Sequence, residues 1–213
     1  MSRLAWGVVG DRFFEVSVDR GVLYLPGESG VVWNGLISVT ETPDGADYKP
    51  YYIDGLKYLH LTTKEEFEAT VNALSAPPEF ASCDGITSIQ NGLFVTEQAR
   101  SLFDFTYRTF VGNDAEGREH AYKIHLVYSA LAQPSRRNNA TLTSESADPM
   151  VLSWVVTTIP QVITGRFPSS HLVIDSRQYS AEIMSDVEDI LYGTNSTDPS
   201  MPTPDELVAV LEP

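Results

Sequence analysis

Two alternating runs flanking a short polar turn constrain this 213-residue chain more than any other feature. Val31-Val-Trp-Asn-Gly-Leu-Ile-Ser-Val-Thr-Glu41 sets Val31, Trp33, Ile37 and Val39 on one face and Asn34, Ser38 and Thr40 on the other. Tyr51-Tyr-Ile-Asp-Gly-Leu-Lys-Tyr-Leu-His-Leu61 follows after Thr42-Pro-Asp-Gly-Ala-Asp47, which carries turn chemistry. Leu36 and Lys57 interrupt the parity. Period-2 alternation marks half-buried strands, so the two runs read as one extended hairpin. One side belongs to a core, and the other to solvent or a partner.

Further strand-like runs cover Arg12–Asp19, Gly21–Pro26, Leu102–Val111, Ala121–Ala130, Val151–Ile159 and His171–Asp175. Leu102–Val111 and Ala121–Ala130 are joined by Gly112-Asn-Asp-Ala-Glu-Gly117 as a second hairpin. Between Leu61 and Leu102 lies one predicted helix: Thr63-Lys-Glu-Glu66 is a capping box, Phe67, Val71 and Leu74 recur at helical spacing, and Pro77-Pro78 ends the segment. Roughly eight strands without a βαβ rhythm predict a mainly β fold, an antiparallel sandwich or barrel with one packed α-helix. Ser135–Pro149 reads as a polar mobile loop.

The texture changes after Arg177. Of the 29 acids, eight lie from Gln178 to Pro213, where Lys and Arg are absent. This divides the chain into a β-domain, 1–177, and an acidic helical C-terminal extension, 178–213. Ser180–Leu191 carries Ile183, Val187, Ile190 and Leu191 on one stripe and stops at Gly193. After a polar linker, Thr203-Pro-Asp-Glu206 caps a second short helix with Leu207, Val208, Val210 and Leu211. A helix that short is not stable alone and must dock on its own domain or on a neighbouring copy.

A net charge of −15 excludes binding by clustered phosphate neutralisation and attraction to an anionic membrane surface. No run approaches the roughly 18 apolar residues of a membrane span, and Met1-Ser-Arg-Leu-Ala-Trp6 lacks the order of a signal peptide. The expectation is a soluble protein, intracellular at synthesis. Its lone Cys83 sits beside Asp84 and reads as a small core residue. His120 and His125, five apart, fall on opposite strand faces and cannot chelate together. Asp54, Asp104 and Asp175, with Arg100, Arg108 and Arg177 as partners, read as ion pairs rather than catalytic carboxylates. Asn139-Ala-Thr141 and Asn195-Ser-Thr197 match the glycosylation pattern only by chance in such a chain. No phosphate-binding glycine loop, nucleophile elbow or metal-binding motif is present. No catalytic residue, cofactor or metal is expected.

A series of strings in one order resembles the major tail proteins (tail tube proteins) of long-tailed, non-contractile phages of Gram-positive bacteria. They include Gly30–Asp47, Tyr51–Leu59, Glu66-Phe67 with Ala69-Thr70, Pro78–Gly85, Tyr107-Arg-Thr109, Gly112-Asn-Asp114, Tyr122–Tyr128, Ala130–Ser135, Ser153-Trp154, Thr157-Thr158 and His171–Ser176. The resemblance covers roughly residues 20 to 177 and implies a structural virion protein. Its copies would close into homo-hexameric rings stacked as a tail tube, with tape measure, terminator and distal tail proteins as partners. DNA would pass through without specific binding, repelled by a negative lining. The implied location is the virion tail, assembled in the host cytoplasm. With strand parity, the resemblance puts Asn34, Ser38, Thr40, Asp54 and His60 on the lumen side. Pro43, Asp44, Asp47 and Lys49 fall in the loop that would reach the next ring. Ile183, Val187, Ile190, Leu207 and Leu211 become candidates for docking on an adjacent subunit. The alternatives are a minor tail ring protein, distal or terminator, and a carbohydrate-binding β-barrel module using Trp33, Trp154 and the tyrosines as a stacking platform.

Overall fold

A computed structural model describes residues 3–135, 137, 139, 141 and 149–212. The polar segment predicted as a mobile loop therefore lies largely outside the described residues. The strands are β1 (Phe13–Tyr24), β2 (Val31–Val32), β3 (Leu36–Glu41), β4 (Asp44–Gly45), β5 (Tyr48–Ile53), β6 (Leu56–Thr62), β7 (Glu65–Glu66), β8 (Glu68–Ala73), β9 (Thr87–Gln90), β10 (Leu93–Val95), β11 (Phe103–Asn113), β12 (Gly117–Ala132), β13 (Leu152–Thr158) and β14 (His171–Asp175). Two helices follow, α1 (Ala181–Tyr192) and α2 (Pro204–Leu211). The main sheet is antiparallel, ordered β2-β1-β11-β12-β13-β8-β3, with β14 also paired to β12. The long β12 serves two partners: Lys123–Val127 pairs with β14 and Ala130–Ala132 with β13. Between them Ser129 takes φ 46° and its amide donates to Asp104 Oδ1 at 2.6 Å. That corner lets the sheet curl until Gly21 of β1 comes against Trp33 and Leu36, so the fold is a partly closed barrel.

The curled sheet has two apolar faces because its strands alternate. Inside, Phe103, Phe105, Tyr107, Val127, Ala130, Val71 and Trp154 form the barrel core, closed by Trp33, Phe80 and Cys83. Outside, Val22, Tyr24, Ile124, Leu126, Tyr128 and Ile174 form a second core under Met184, Val187 and Leu191 of α1 and Leu207 of α2. Both C-terminal helices start as predicted. Ser180 Oγ accepts from the Ile183 amide, and Thr203 and Glu206 form a reciprocal capping box. Of the two docking possibilities, their own sheet covers them. The Tyr24 hydroxyl donates to Leu191 O at 2.7 Å, and Arg20 pairs with Glu188 at 2.9 Å.

The predicted helix at Thr63–Leu74 is corrected: this stretch is the strand segment β7–β8. Ala69, Val71 and Ala73 are fully buried at alternate positions, while Leu74, assigned to the apolar helix stripe, is exposed. The strand is hydrogen-bonded on both sides, to β13 and to β3, and that pairing outweighs the local capping signal. The expected strand Val31–Glu41 breaks at Asn34-Gly35, where Gly35 takes φ 84°. Ile37 consequently faces solvent and Leu36 turns inward, reversing the predicted parity there.

Asp84 holds the barrel's closed end. Its Oδ1 accepts from Trp154 Nε1 at 3.1 Å and from Arg100 Nη1 at 3.4 Å, and Oδ2 accepts from Arg137. Arg100 also donates to Ala132 O at 3.1 Å. Asp84→Ala strands the buried indole N–H and leaves two guanidinium groups without their carboxylate. The expected loss is about 2–3 kcal/mol in urea unfolding, since both arginines keep some access to water. Asp84→Asn retains an acceptor for Trp154 and should lose less. Equal losses would show that the indole hydrogen bond contributes nothing.

Candidate functional site

Two of the three short ladders outside the main sheet, β4/β7 and β5/β6, continue the β3/β8 ladder as one object, while β9/β10 is a separate hairpin. The partner numbers add to 110 at Ser38–Asn72, Glu41–Ala69, Asp44–Glu66, Gly45–Glu65, Tyr48–Thr62 and Tyr51–Leu59. One register therefore runs from Ser38–Asn72 at the barrel wall out to Tyr51–Leu59. Beyond it the returning leg carries one extra residue, Tyr58, as a bulge, and Tyr52–Lys57 and Ile53–Leu56 add to 109. The tip is the two-residue turn Asp54-Gly55 between the paired Ile53 and Leu56. Asp54 at φ 52° and Gly55 at φ 75° give the type I′ geometry that suits a right-twisted ribbon. A kink falls at Gly45, φ 93°, where a Cβ would run into the Lys64 carbonyl oxygen. From Thr42 to the tip the arm is long enough to reach roughly 40 Å if straight.

Register sorts the arm's side chains. Tyr51, Ile53, Leu56, Leu59 and Leu61 share one face with Lys49, whereas Tyr48, Pro50, Tyr52, Lys57, His60 and Thr62 share the other. Every residue of β5 and β6 is exposed, with Leu56 at 75%. An apolar stripe on a two-stranded ribbon with both edges free is an aggregation hazard unless something covers it.

At the arm's root a polar cluster interrupts the barrel core. Glu41, the last residue of β3, accepts from the Tyr107 hydroxyl at 2.7 Å and lies 3.5 Å from His125 Nδ1. His125 Nδ1 and His171 Nε2 are 3.1 Å apart, and Thr109 Oγ1 is 3.1 Å from His125 Nε2. Tyr107 stacks on His125 at 4.5 Å, and Phe67, which joins β7 to β8, packs on His171 at 4.4 Å. Both legs of the arm thus enter the barrel beside this pair. Burial first, then the neighbouring His171, pushes His125 down to about 4 and leaves it uncharged at neutral pH. Burial also lowers His171 and, with the Glu41 carboxylate, raises Tyr107.

The lumen-side candidates do not share one surface. Ser38 and Thr40 lie with Thr70 and Asn72 on the sheet face away from the core, and Asn72 Nδ2 donates to Ser38 Oγ at 3.0 Å. Asn34 sits in the turn before β3, Asp54 at the arm tip and His60 on the arm's aromatic face. The Asn34-Gly35 and Asp54-Gly55 turns separate them. The inter-ring loop candidates are likewise not in an open loop. Asp44 pairs with Glu66, the Asp47 amide donates to Thr63 Oγ1 at 2.9 Å, and Lys49 pairs with Leu61, with Pro43 just before them. They form the lower part of one leg of the arm. Among the helix candidates, Val187 and Leu207 are buried in the chain's own second core, and Ile183, Ile190 and Leu211 are half-buried. Their docking face is therefore already covered within the subunit.

Of the expected ion pairs only Asp175–Arg177 forms; Arg108 instead clamps Asp19 through two bonds of 2.8 and 2.6 Å. The Glu41–His125–His171 cluster had no sequence signal beyond the inward parity of His125 with Val127, because its members come from three distant strands.

No family model matches the sequence, and no curated protein is significantly similar to it. Among solved structures, the chain is similar to one in the extended sheath–tube complex of an extracellular contractile injection system. That chain is 14% identical over 73% of this chain and 88% of its own, with a TM-score of 0.36. It is also similar to chains from the baseplate and the tube-terminating cap of the anti-feeding prophage. Identities there are 10% and 12%, TM-scores 0.38 and 0.36, coverage 82% of this chain in each case, and 97% and 96% of the others.

Proposed function

We propose that the chain is a structural tail-tube protein whose copies close into hexameric rings and stack into a conduit for DNA. One observation carries this reading beyond the ordered strings of the sequence: the arm, a ribbon whose apolar stripe no other element covers among the described residues. A neighbouring copy is the occupant that repeats at every position of a ring, and covering the stripe there removes the aggregation hazard. The outward face of β3, β8 and β13, with Ser38, Thr40, Glu68, Thr70, Asn72 and Ser153, has no Lys or Arg and is the proposed lumen side. Such a face offers passing phosphate no cation to adhere to.

The carbohydrate-module reading loses its two tryptophans, because Trp33 and Trp154 are 3% and 1% exposed in the barrel core, and keeps only the exposed tyrosines of the arm. Negative-stain microscopy with native mass measurement tests the proposal. Six-fold rings or tubes of six 23.5 kDa chains per layer are expected. A monodisperse monomer at high concentration would sink the reading. Tens or more copies per particle would separate a tube protein from a terminator or distal ring.

A further inference from the structure

We infer that Glu41, His125 and His171 form a three-ligand site for a borderline divalent transition metal of the zinc class. The donor set is two imidazoles and one carboxylate, with one ligand atom from each lying within 4.8 Å of the others. Two nitrogens and an oxygen in such a triangle match the ligand types and spacing a four-coordinate ion takes, leaving one position open. Surrounding contacts fit the same role. Thr109 Oγ1 meets the outer nitrogen of His125, and Tyr107 fixes one Glu41 oxygen, the outer hydrogen bonds that orient metal ligands. His171 lines an open cleft with Lys64, Glu66, Phe67 and Phe167, which supplies an entry path and room for water at the fourth position.

Without an ion the two rings meet nitrogen to nitrogen. Their centroids are 5.3 Å apart, the 3.1 Å N···N distance plus the two ring radii, so they share an N–H···N hydrogen bond. A bound ion takes the place of that shared proton, which shifts by tautomerisation to the outer nitrogen of the ring that carried it (for His125, Nε2, which then donates to Thr109 Oγ1), so both imidazoles stay neutral. It lies off the N–N line on the Glu41 side, and each ring reaches it by turning about its soft Cβ–Cγ bond. Binding would tie the outgoing leg of the arm to β12 and β14. The site does not depend on the tube reading, since its ligands all belong to one chain.

The test uses untagged full-length protein stripped with chelator and titrated with Zn²⁺ or Co²⁺. One ion per chain is expected, with visible Co²⁺ absorption bands of a low-symmetry nitrogen–oxygen site. Saturating Zn²⁺ should raise the melting temperature of the wild type. His125→Ala and His171→Asn should each weaken binding at least tenfold and abolish the melting shift. Glu41→Gln should weaken it less, and Thr109→Val about tenfold. His60→Ala and His120→Ala serve as unaffected controls. If His125→Ala fails to fold by circular dichroism, the half-buried His171→Asn carries the comparison. Absence of saturable binding below millimolar metal overturns the proposal, as does binding that survives His171→Asn.

Discussion

Replacing Lys49–Leu61 with Asn-Gly should leave a folded barrel that no longer forms rings. Tyr48 and Thr62 are already cross-strand partners, so a two-residue type I′ turn closes the shortened ribbon without disturbing its register. None of the removed side chains belongs to either core, and the stability of the monomer should change by less than about 1 kcal/mol. The apolar stripe goes with the deletion. If it is the contact between copies, assembly is abolished rather than weakened, as sedimentation and microscopy would report. Leu59→Asp, which puts one charge into the stripe, should weaken assembly in the same direction while leaving the arm in place. Rings that persist in the deletion variant would mean that copies meet elsewhere.

Truncation after Arg177 should have the opposite result: no folded protein at all. The helices cover Val22, Tyr24, Ile124, Leu126, Tyr128 and Ile174 on the outer sheet face. At about 1.5–3 kcal/mol per large side chain, uncovering six removes on the order of 10 kcal/mol. That matches or exceeds the whole margin of a typical domain, about 5–15 kcal/mol. Truncation also takes away Leu191 O, the acceptor of the buried Tyr24 hydroxyl. Leu191→Ala, at a fully buried position, isolates part of the effect and should cost about 2–5 kcal/mol in urea unfolding. A soluble truncated chain with a cooperative melt like the full protein's would show that the second core is dispensable.

The strands were legible because their side chains alternate, and the helical end because its caps are local. What misled was also local. Leu36 and Lys57 looked like blemishes in two continuous runs, yet each follows an Asx-Gly turn that reverses parity, and a bulge just beyond it restores the phase. Asp54-Gly55 is one of the chain's Asx-Gly hairpin signals, and it lies inside what reads as one strand. The Thr63–Leu74 stretch shows a complementary failure. Phe67, Val71 and Leu74 fit a helix, Ala69, Val71 and Ala73 fit a strand, and only long-range pairing on both edges decides between them. The histidine cluster was out of reach for a plainer reason. Glu41, His125 and His171 are joined by the curl of the sheet, and no spacing along the chain encodes it.

The cross-strand register that the two legs of the arm share also limits how such a protein can vary. Unless a bulge absorbs it, as one does at Tyr58, a residue added to either leg would turn every side chain beyond it to the opposite face and carry the apolar stripe away from its contact. Added to both legs at matched positions, residues lengthen the reach while the stripe continues in phase. Relatives with longer or shorter arms should therefore differ by paired insertions around Asp54-Gly55, with equal numbers on the outgoing and returning strands.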